Sequence, residues 1–224
     1  APSIRHLAKK ILHKPVEISL SLSKPAEGVD QKAYLVPENF KIKIVEKILL
    51  ERTQYDSILI FTSSKIKITE IVKSLNNHGF PAHGISSNLD QDKREEVLRN
   101  FTSKQIRILV ATDVMSRGID IKEINMVINY DVPHDAEDYV HRVGRTARVN
   151  TKGEAITLVT QKDLFRLKKI EKLIDFTIPM IPSPIDFPAI NESEIHDQSN
   201  KKRTFRKKPG FGKNKGKGRK STPK

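Results

Sequence analysis

Three arginines and one histidine lie within eight consecutive residues, in the segment 141–148 that reads His-Arg-Val-Gly-Arg-Thr-Ala-Arg. A guanidinium group is always charged and presents a rigid fork of N–H donors that matches phosphate oxygens. Arginines aimed at a transferring phosphoryl group also stabilise the charge that grows in its transition state. The alternative is a solvated basic helix end, the usual fate of a charge cluster, and the residues alone favour neither interpretation.

A second polar segment begins where a strongly apolar run ends. Thr112, Asp113 and Asp120 surround Gly118, a residue type that lets the backbone approach a ligand closely. The alternative is an ordinary strand-to-helix turn in which Asp113 caps the helix.

Two weaker signals precede these segments. Gln91 and Arg94 stand three positions apart at the start of a predicted helix, where free N–H groups favour phosphate. The apolar run of residues 58–61 leads into the hydroxyls of Thr62, Ser63 and Ser64. Many surface helices and loops show such patterns, so neither is specific alone.

Strands and helices, predicted from the apolar pattern, must position the polar side chains described above. Continuous apolar runs alternate with segments of helical periodicity, which predicts a parallel sheet covered by helices on both faces. In such a sheet the loops after the strands lie along one rim, where we expect the ligand and the arginines. The predicted strands cover residues 33–36, 57–61, 81–85, 107–111, 125–130 and 154–159. The predicted helices cover residues 1–12, 38–51, 65–77, 90–102, 136–143 and 162–174.

The positive charge is concentrated at the C-terminus. Of 41 lysines and arginines, twelve lie in residues 198–224, which contain no acidic residue, whereas the rest of the chain is nearly neutral. We predict a disordered basic tail over residues 185–224 that binds a polyanion mainly through charge. A solubilising tail without a target is the alternative.

Composition excludes several classes of protein. Cysteine is absent, no apolar run approaches the length of a membrane span, and the histidines show no metal-ligand spacing. The first residues also lack the apolar centre of a signal peptide. We therefore expect a cytoplasmic protein with no metal site and no membrane partner, and nothing requires more than a monomer.

In order and spacing these segments resemble the motifs of the C-terminal RecA-like domain (helicase C) of DEAD-box ATP-dependent RNA helicases, and are similar to bacterial RhlE-type members. Residues 60–65 resemble motif IV, 91–94 the QxxR element, 112–114 and 116–120 motifs Va and V, and 141–148 motif VI. The resemblance implies a connector over residues 1–31, a RecA-like domain over 32–184 and a tail over 185–224. Two departures are Ala147, where Gly is common, and Ser86-Ser87, where the family often has His-Gly.

The resemblance also implies roles in nucleotide binding. Arg145 and Arg148 would contact the γ-phosphate of ATP, with Arg148 as the arginine finger. Asp120 would hold the ribose hydroxyls, and His141 would link the ATP site to a partner domain.

For RNA, the resemblance implies that Arg94, Thr112 and Gly118 contact the backbone, with support from Gln91. Arg117 and Arg142 would serve local structure or domain contact.

The sequence contains neither a Gly-x-x-x-x-Gly-Lys-Ser/Thr phosphate loop nor an Asp-Glu-Ala-Asp run. An N-terminal RecA-like domain would therefore hold most of the ATP and its Mg²⁺. The expected function is the C-terminal half of an ATP-dependent RNA helicase, a nucleotide-binding hydrolase stimulated by RNA and inactive as this fragment. The alternatives are a free-standing RNA-binding module without enzymatic activity and half of a superfamily-2 DNA helicase.

Overall fold

Strands and helices alternate as the apolar pattern predicts, in a computed structural model that describes residues 10–12, 28–86, 88–113, 124–146 and 153–187. The strands are β1 (Val29–Leu35), β2 (Ile58–Phe61), β3 (Ala82–Ile85), β4 (Ile108–Ala111), β5 (Met126–Asn129) and β6 (Gly153–Val159). The helices are α1 (Lys41–Glu51), α2 (Lys65–Asn77), α3 (Gln91–Thr102), α4 (Ala136–Val143) and α5 (Leu164–Ile174). Short 3-10 helices, Glu38–Phe40 and Gln161–Asp163, precede α1 and α5. Most of the predicted helix over residues 1–12, and the tail from residue 188 onward, lie outside the described residues.

The six strands form one sheet in the order β1-β6-β5-β2-β4-β3. Every neighbouring pair is parallel, so all carboxyl ends lie at one end of the sheet and all amino ends at the other. We call these ends the carboxyl rim and the amino rim. Strand β2 lies between β5 and β4, so the loops after these three strands are neighbours.

Helices cover both faces of the sheet, which confirms the predicted parallel α/β architecture. Successive strand residues point to opposite faces: Ile58 and Ile60 pack with apolar residues of α1 and α2, whereas Leu59 and Phe61 pack beneath α3. Helices α4 and α5 cover the β6 side of that second face. The inner strands β2 and β4 are therefore buried on both sides, which is why their sequences are continuously apolar.

Strand β1 begins at Val29, earlier than the predicted start at Ala33, and so includes the last residues of the predicted connector. Its first residues pair with β6 in register, starting with Val29 beside Gly153. The apolar pattern missed them because the polar residues Asp30, Gln31 and Lys32 interrupt it.

The outer edge of β1 is partly covered by residues 178–187, which we call the C-terminal strap. The Ala33 amide donates to Pro179 O at 2.9 Å, and the Ile181 amide donates to Ala33 O at 2.9 Å. At the far end of the strap, Phe187 packs on Phe40 with ring centroids 5.6 Å apart. One compact unit of the chain ends at Phe187, and the predicted domain boundary at residue 184 stays a prediction.

The longest described helix, α2, has 13 residues. No helix among the described residues has the length and apolar character that a bilayer span requires.

Candidate functional site

Three neighbouring strands end in polar residues at the carboxyl rim. Thr62 follows β2, Thr112 and Asp113 follow β4, and Asp131 lies just after β5. The Thr62 amide donates to Ala111 O at 3.0 Å, so the first two loops are bonded directly to each other. Because β4 and β5 flank β2, residues far apart in the chain meet along one short stretch of rim.

Arg142 of α4 joins the β4 and β5 ends of this rim. Its side chain is buried, at 2% exposure, and its Nε and Nη2 donate to both carboxylate oxygens of Asp113 at 2.6 and 2.8 Å. Its Nη1 donates to Asn129 Oδ1 at 3.2 Å and to Asp131 O at 2.7 Å. The guanidinium carbon also lies 5.1 Å from the centre of the Phe61 ring. With its donors engaged inside the protein, Arg142 fits the interpretation that it serves local structure.

The carboxylate of Asp131 orders the loop after β2. Asp131 is only 8% exposed, and its Oδ2 accepts from the Thr62 hydroxyl at 2.8 Å and from the Ser63 amide at 2.9 Å. A hydroxyl and a backbone N–H are groups that could otherwise bind phosphate. At the end of β2 the Asp131 carboxylate therefore occupies donors that could otherwise bind an anionic ligand.

Two lysines face the other oxygen of the same carboxylate. Lys67 Nζ lies 2.7 Å and Lys41 Nζ 3.2 Å from Asp131 Oδ1, and Lys41 is completely buried. Glu38 bridges the lysines, with 2.8 Å to each ammonium. Both ammonium groups also lie over the Tyr130 ring, at 5.3 and 5.8 Å from its centre. The cluster thus links α1, α2 and the end of β5 on one face of the sheet.

The surroundings fix the charge of this cluster. Burial alone would raise the pKa of Asp131, but hydrogen bonds from Lys67, Ser63 and Thr62 and the charge of Lys41 hold it well below its ordinary value. Burial alone would lower the pKa of Lys67, but its bonds to Asp131 and Glu38 hold it above its ordinary value. Asp131 and Lys67 are therefore a fully ionised pair at neutral pH.

Helix α4 leads away from the carboxyl rim. After Arg142, which reaches that rim, the Thr146 hydroxyl donates at 2.6 Å to Ile124 O, just before β5. The chain must run in this direction, since it has to enter the amino end of the parallel strand β6. His141 is exposed and Arg145 half-buried. Arg145 therefore follows Arg142 on the path from the carboxyl rim toward Thr146, and its predicted place on the rim stays a prediction.

The predicted RNA-contacting helix, α3, starts at the carboxyl end of β3. Asp90 caps it by accepting from the Lys93 amide at 2.9 Å, and this bond lowers the pKa of Asp90. The exposed Gln91 amide donates to Glu95 Oε1 at 2.6 Å, one turn along the same face. Arg94 is half-buried next to them. Gln91 and Arg94 are thus presented on the first turn of a capped helix, as predicted.

Several predicted site residues lie outside the described residues: Gly118, Asp120 and Arg148, together with Arg117 and the variant position Ala147. Their assignments stay predictions. In the described ranges, no group of three or more acidic, histidine or cysteine side chains could hold a metal ion.

Sequence reasoning missed Asp131, Asn129 and the two lysines that face Asp131. Asp131 had a usable signal, since it directly follows an apolar strand, as Thr112 does. Lys41 had none, because a lysine at the start of an amphipathic helix normally indicates an exposed position.

Comparison with known proteins shows which family and which relatives this chain is similar to. Residues 40–150 match the family described as "Helicase conserved C-terminal domain". The chain is 38% identical over 172 residues to the ATP-dependent RNA helicase DeaD of Mycobacterium tuberculosis, covering 76% of this chain and 30% of DeaD. It is 36% identical over 191 residues to the DEAD-box ATP-dependent RNA helicase CshA of Bacillus cereus, covering 85% of this chain and 35% of CshA. The chain thus spans about a third of the length of these curated relatives, and the RhlE-type subtype stays a prediction.

The fold is also similar to a solved structure, Saccharomyces cerevisiae Dbp5 bound to RNA and ADP BeF3. The TM-score is 0.74 at 28% identity, and the match covers 82% of this chain and 49% of the Dbp5 chain. The predicted RecA-like fold is confirmed, because this sheet matches the C-terminal domain of a DEAD-box protein.

Proposed function

This chain contains the helicase C-terminal domain of a DEAD-box ATP-dependent RNA helicase, and we propose that it acts as the C-terminal half of such an enzyme, in which ATP hydrolysis drives RNA unwinding. The ion pair between Arg142 and Asp113 is the observation that carries this proposal. It joins the segment that resembles motif Va to the helix that resembles motif VI. The ion pair therefore connects the segment expected to contact RNA with the helix expected to contact the nucleotide.

For the nucleotide, an N-terminal RecA-like domain holds most of the ATP and its Mg²⁺, and this chain closes over them. Arg145 and Arg148 then contact the γ-phosphate, with Arg148 as the arginine finger, and Asp120 binds the ribose hydroxyls. His141, exposed on α4, contacts the partner domain. Arg142 and Thr146 anchor this segment to the sheet as far as residue 146, and a fixed backbone supports the precise positioning that stabilising a developing phosphoryl charge requires.

For RNA, Arg94, Thr112 and Gly118 contact the backbone of one strand, and Gln91 supports them through its bond to Glu95. Contacts to phosphate and sugar carry little sequence information, so the sequence preference is slight. Contact with the 2′-hydroxyl favours RNA over DNA. A duplex opens because the bound strand is held in a shape that the duplex cannot keep.

A two-domain protein tests the nucleotide assignment directly. We join this chain to the first domain of a DEAD-box helicase and measure RNA-stimulated ATP hydrolysis in the parent, in Arg145→Ala and in Arg148→Ala. Loss of an arginine finger is expected to lower turnover by roughly a thousandfold or more, while RNA affinity stays unchanged.

Arg166→Ala is the matched control, because this arginine lies on α5 and pairs with Asp163, three positions earlier in the chain. Near-normal turnover in Arg148→Ala contradicts the finger assignment. If the joined protein binds RNA but never hydrolyses ATP, the chain is instead a module for RNA binding.

The basic tail provides a separate test. Deleting residues 198–224 removes twelve positive charges and is expected to weaken RNA binding most strongly at low salt. The slope of log affinity against log salt becomes shallower, whereas the urea midpoint of the compact unit is unchanged. An identical salt slope with and without the tail contradicts a role in RNA binding.

A further inference from the structure

Both ends of β2 are held by a polar side chain next to β5. At the amino rim, Asn125 Oδ1 accepts from the Asp56 amide, the Ser57 amide and the Ser57 hydroxyl at 3.1, 3.0 and 2.8 Å. At the carboxyl rim, Asp131 Oδ2 accepts from the Thr62 hydroxyl and the Ser63 amide. The geometric task is the same at the two ends, but a neutral amide performs the first and a buried anion the second.

The need to hold the end of β2 does not explain why Asp131, a charged residue, is buried there. A buried carboxylate and a buried ammonium each lose several kcal/mol of hydration, and their attraction recovers this only with good geometry. The neutral Asn125 shows that an uncharged side chain suffices at the same strand. An ion cluster of Asp131, Lys41 and Lys67 is therefore more than the end of β2 requires.

Asp131 acts on the segment after β4 by two routes. Its carboxylate orients Thr62, whose amide donates to Ala111 O, the residue before Thr112. Its carbonyl oxygen accepts from Arg142, whose other donors hold both carboxylate oxygens of Asp113. The routes approach from opposite faces of the sheet and end at Ala111 and Asp113, the two neighbours of Thr112.

We propose that Asp131 is a positioning residue, which orients the Thr112–Asp113 segment for contact with the RNA backbone through Thr62 and Arg142. This inference rests on the proposed RNA contact of Thr112. Asp131 cannot itself bind phosphate, because it is an anion and almost completely buried. It therefore acts only through its neighbours.

The first test compares the whole chain with its Asp131→Asn variant, which keeps the size of the side chain and removes the charge. Fluorescence anisotropy gives the affinity for a short single-stranded oligouridylate, and NMR gives the amide signals of Thr112 and Asp113. We expect displaced Thr112 and Asp113 signals and about fivefold weaker binding, the effect of losing roughly one hydrogen bond to RNA.

The matched control is Glu154→Gln, which also neutralises a buried, ion-paired carboxylate, here one paired with Arg52 at the amino rim. It is expected to lower stability without changing RNA affinity or the Thr112 signal. A purely structural role for Asp131 predicts instead that the two variants behave alike.

Chemical rescue is a second readout that altered stability alone would not produce. A cavity of about 290 Å³, lined in part by Glu38, Lys67 and Tyr130, lies beside the cluster. In Asp131→Ala, formate can occupy the space of the missing carboxylate. We expect formate, compared with chloride at equal ionic strength, to restore the Thr112 signal and RNA affinity in this variant and in no other.

A third variant covers the case in which Asp131→Ala does not fold. Thr62→Val keeps the side-chain shape and removes only the hydroxyl bond to Asp131, so it should displace the Thr112 signal in the same direction as Asp131→Asn. Unchanged Thr112 signals in Asp131→Asn and Thr62→Val overturn the proposal, whatever happens to stability. If the parent chain binds no RNA, the proposed RNA contact fails, and the amide signals and the formate rescue still decide whether Asp131 positions this segment.

Discussion

The amino and carboxyl rims of the sheet hold similar ion pairs but different kinds of segment. At the amino rim, Arg52 donates to both oxygens of Glu154 at 2.9 and 3.0 Å, and Arg107 donates to three backbone carbonyls around the end of α1. The bonds to Glu154 raise the pKa of Arg52, and burial lowers the pKa of Arg107. At the carboxyl rim, Arg142 and Asp131 are bonded just as extensively.

The difference lies in what these bonds hold. The amino-rim network ties helix and strand ends that contain no predicted site residue, whereas the carboxyl-rim network holds Thr62 and Asp113, close to the predicted site residue Thr112. A buried, strongly paired charge therefore does not by itself mark a functional site. The position of such a charge relative to the strand ends is the better indicator, because ligands of open parallel sheets bind beyond the carboxyl ends of the strands.

The largest expected effect comes from removing the central arginine of the carboxyl rim. Arg142→Ala leaves Asp113 without its main cation and two buried acceptors without a donor, so we expect a loss of about 3–5 kcal/mol in the free energy of unfolding, measured with urea. At the amino rim, Arg52→Ala is expected to lose only about 1.5–3 kcal/mol, because the Tyr55 hydroxyl still donates to Glu154. An equal or larger loss in Arg52→Ala would break the distinction in energy between the rims.

A smaller effect is expected from Asn125→Ala, which removes the acceptor at the amino end of β2. Its three donors lose their partner, and we expect a loss of about 1–3 kcal/mol in the free energy of unfolding. RNA affinity, measured by anisotropy, should remain that of the parent. A fall in affinity as large as that of Asp131→Asn would show that either end of β2 can disturb RNA binding.

The pH dependence of stability gives a further test of the carboxyl rim. The folded protein holds the pKa of Asp131 below its ordinary value of 3.8, so this carboxylate contributes stability that is complete well above pH 4. The contribution is lost as the pH falls below that value and the unfolded chain becomes protonated first. Urea unfolding between pH 3 and pH 7 should therefore show a flatter acid limb in Asp131→Asn than in the parent. If stability falls equally steeply with acid in Asp131→Asn and in the parent, protonation of Asp131 does not cause the loss of stability.

The smallest effect is expected at the start of α2. Ser64 caps this helix at the carboxyl rim by accepting from the Lys67 amide at 3.3 Å, and Ser64→Ala should lower the free energy of unfolding by about 1 kcal/mol. Ser64→Asp keeps an acceptor and should restore most of the loss. A loss well above 2 kcal/mol in Ser64→Ala would place this serine within the Asp131 network.

Most of the fold could be predicted from the sequence. Strands buried on both faces give continuous apolar runs, and helices packed on one face give apolar residues at helical spacing, so β2, β4, α1 and α2 were readable locally. The start of β1 was not readable, because its polar residues join the sheet through pairing with β6, which is distant in the chain.

The site was predictable only in part. Spacing identified Gln91, Arg94 and Thr112 at the starts of loops and helices, where the structure places them. It did not identify Asp131 or Lys41, because only the packing of distant elements brings these two side chains together.

The sequence by itself determined which segments are strands, which are helices and where polar residues follow buried runs, since hydrophobic periodicity is a property of neighbouring residues. Only the tertiary structure decided that Asp131 meets Thr62, 69 positions earlier, and that Arg142 meets Asp113, 29 positions earlier. The partner of a buried charge depends on the order of strands in the sheet. Strand order follows from how the whole core packs, and no local pattern contains it.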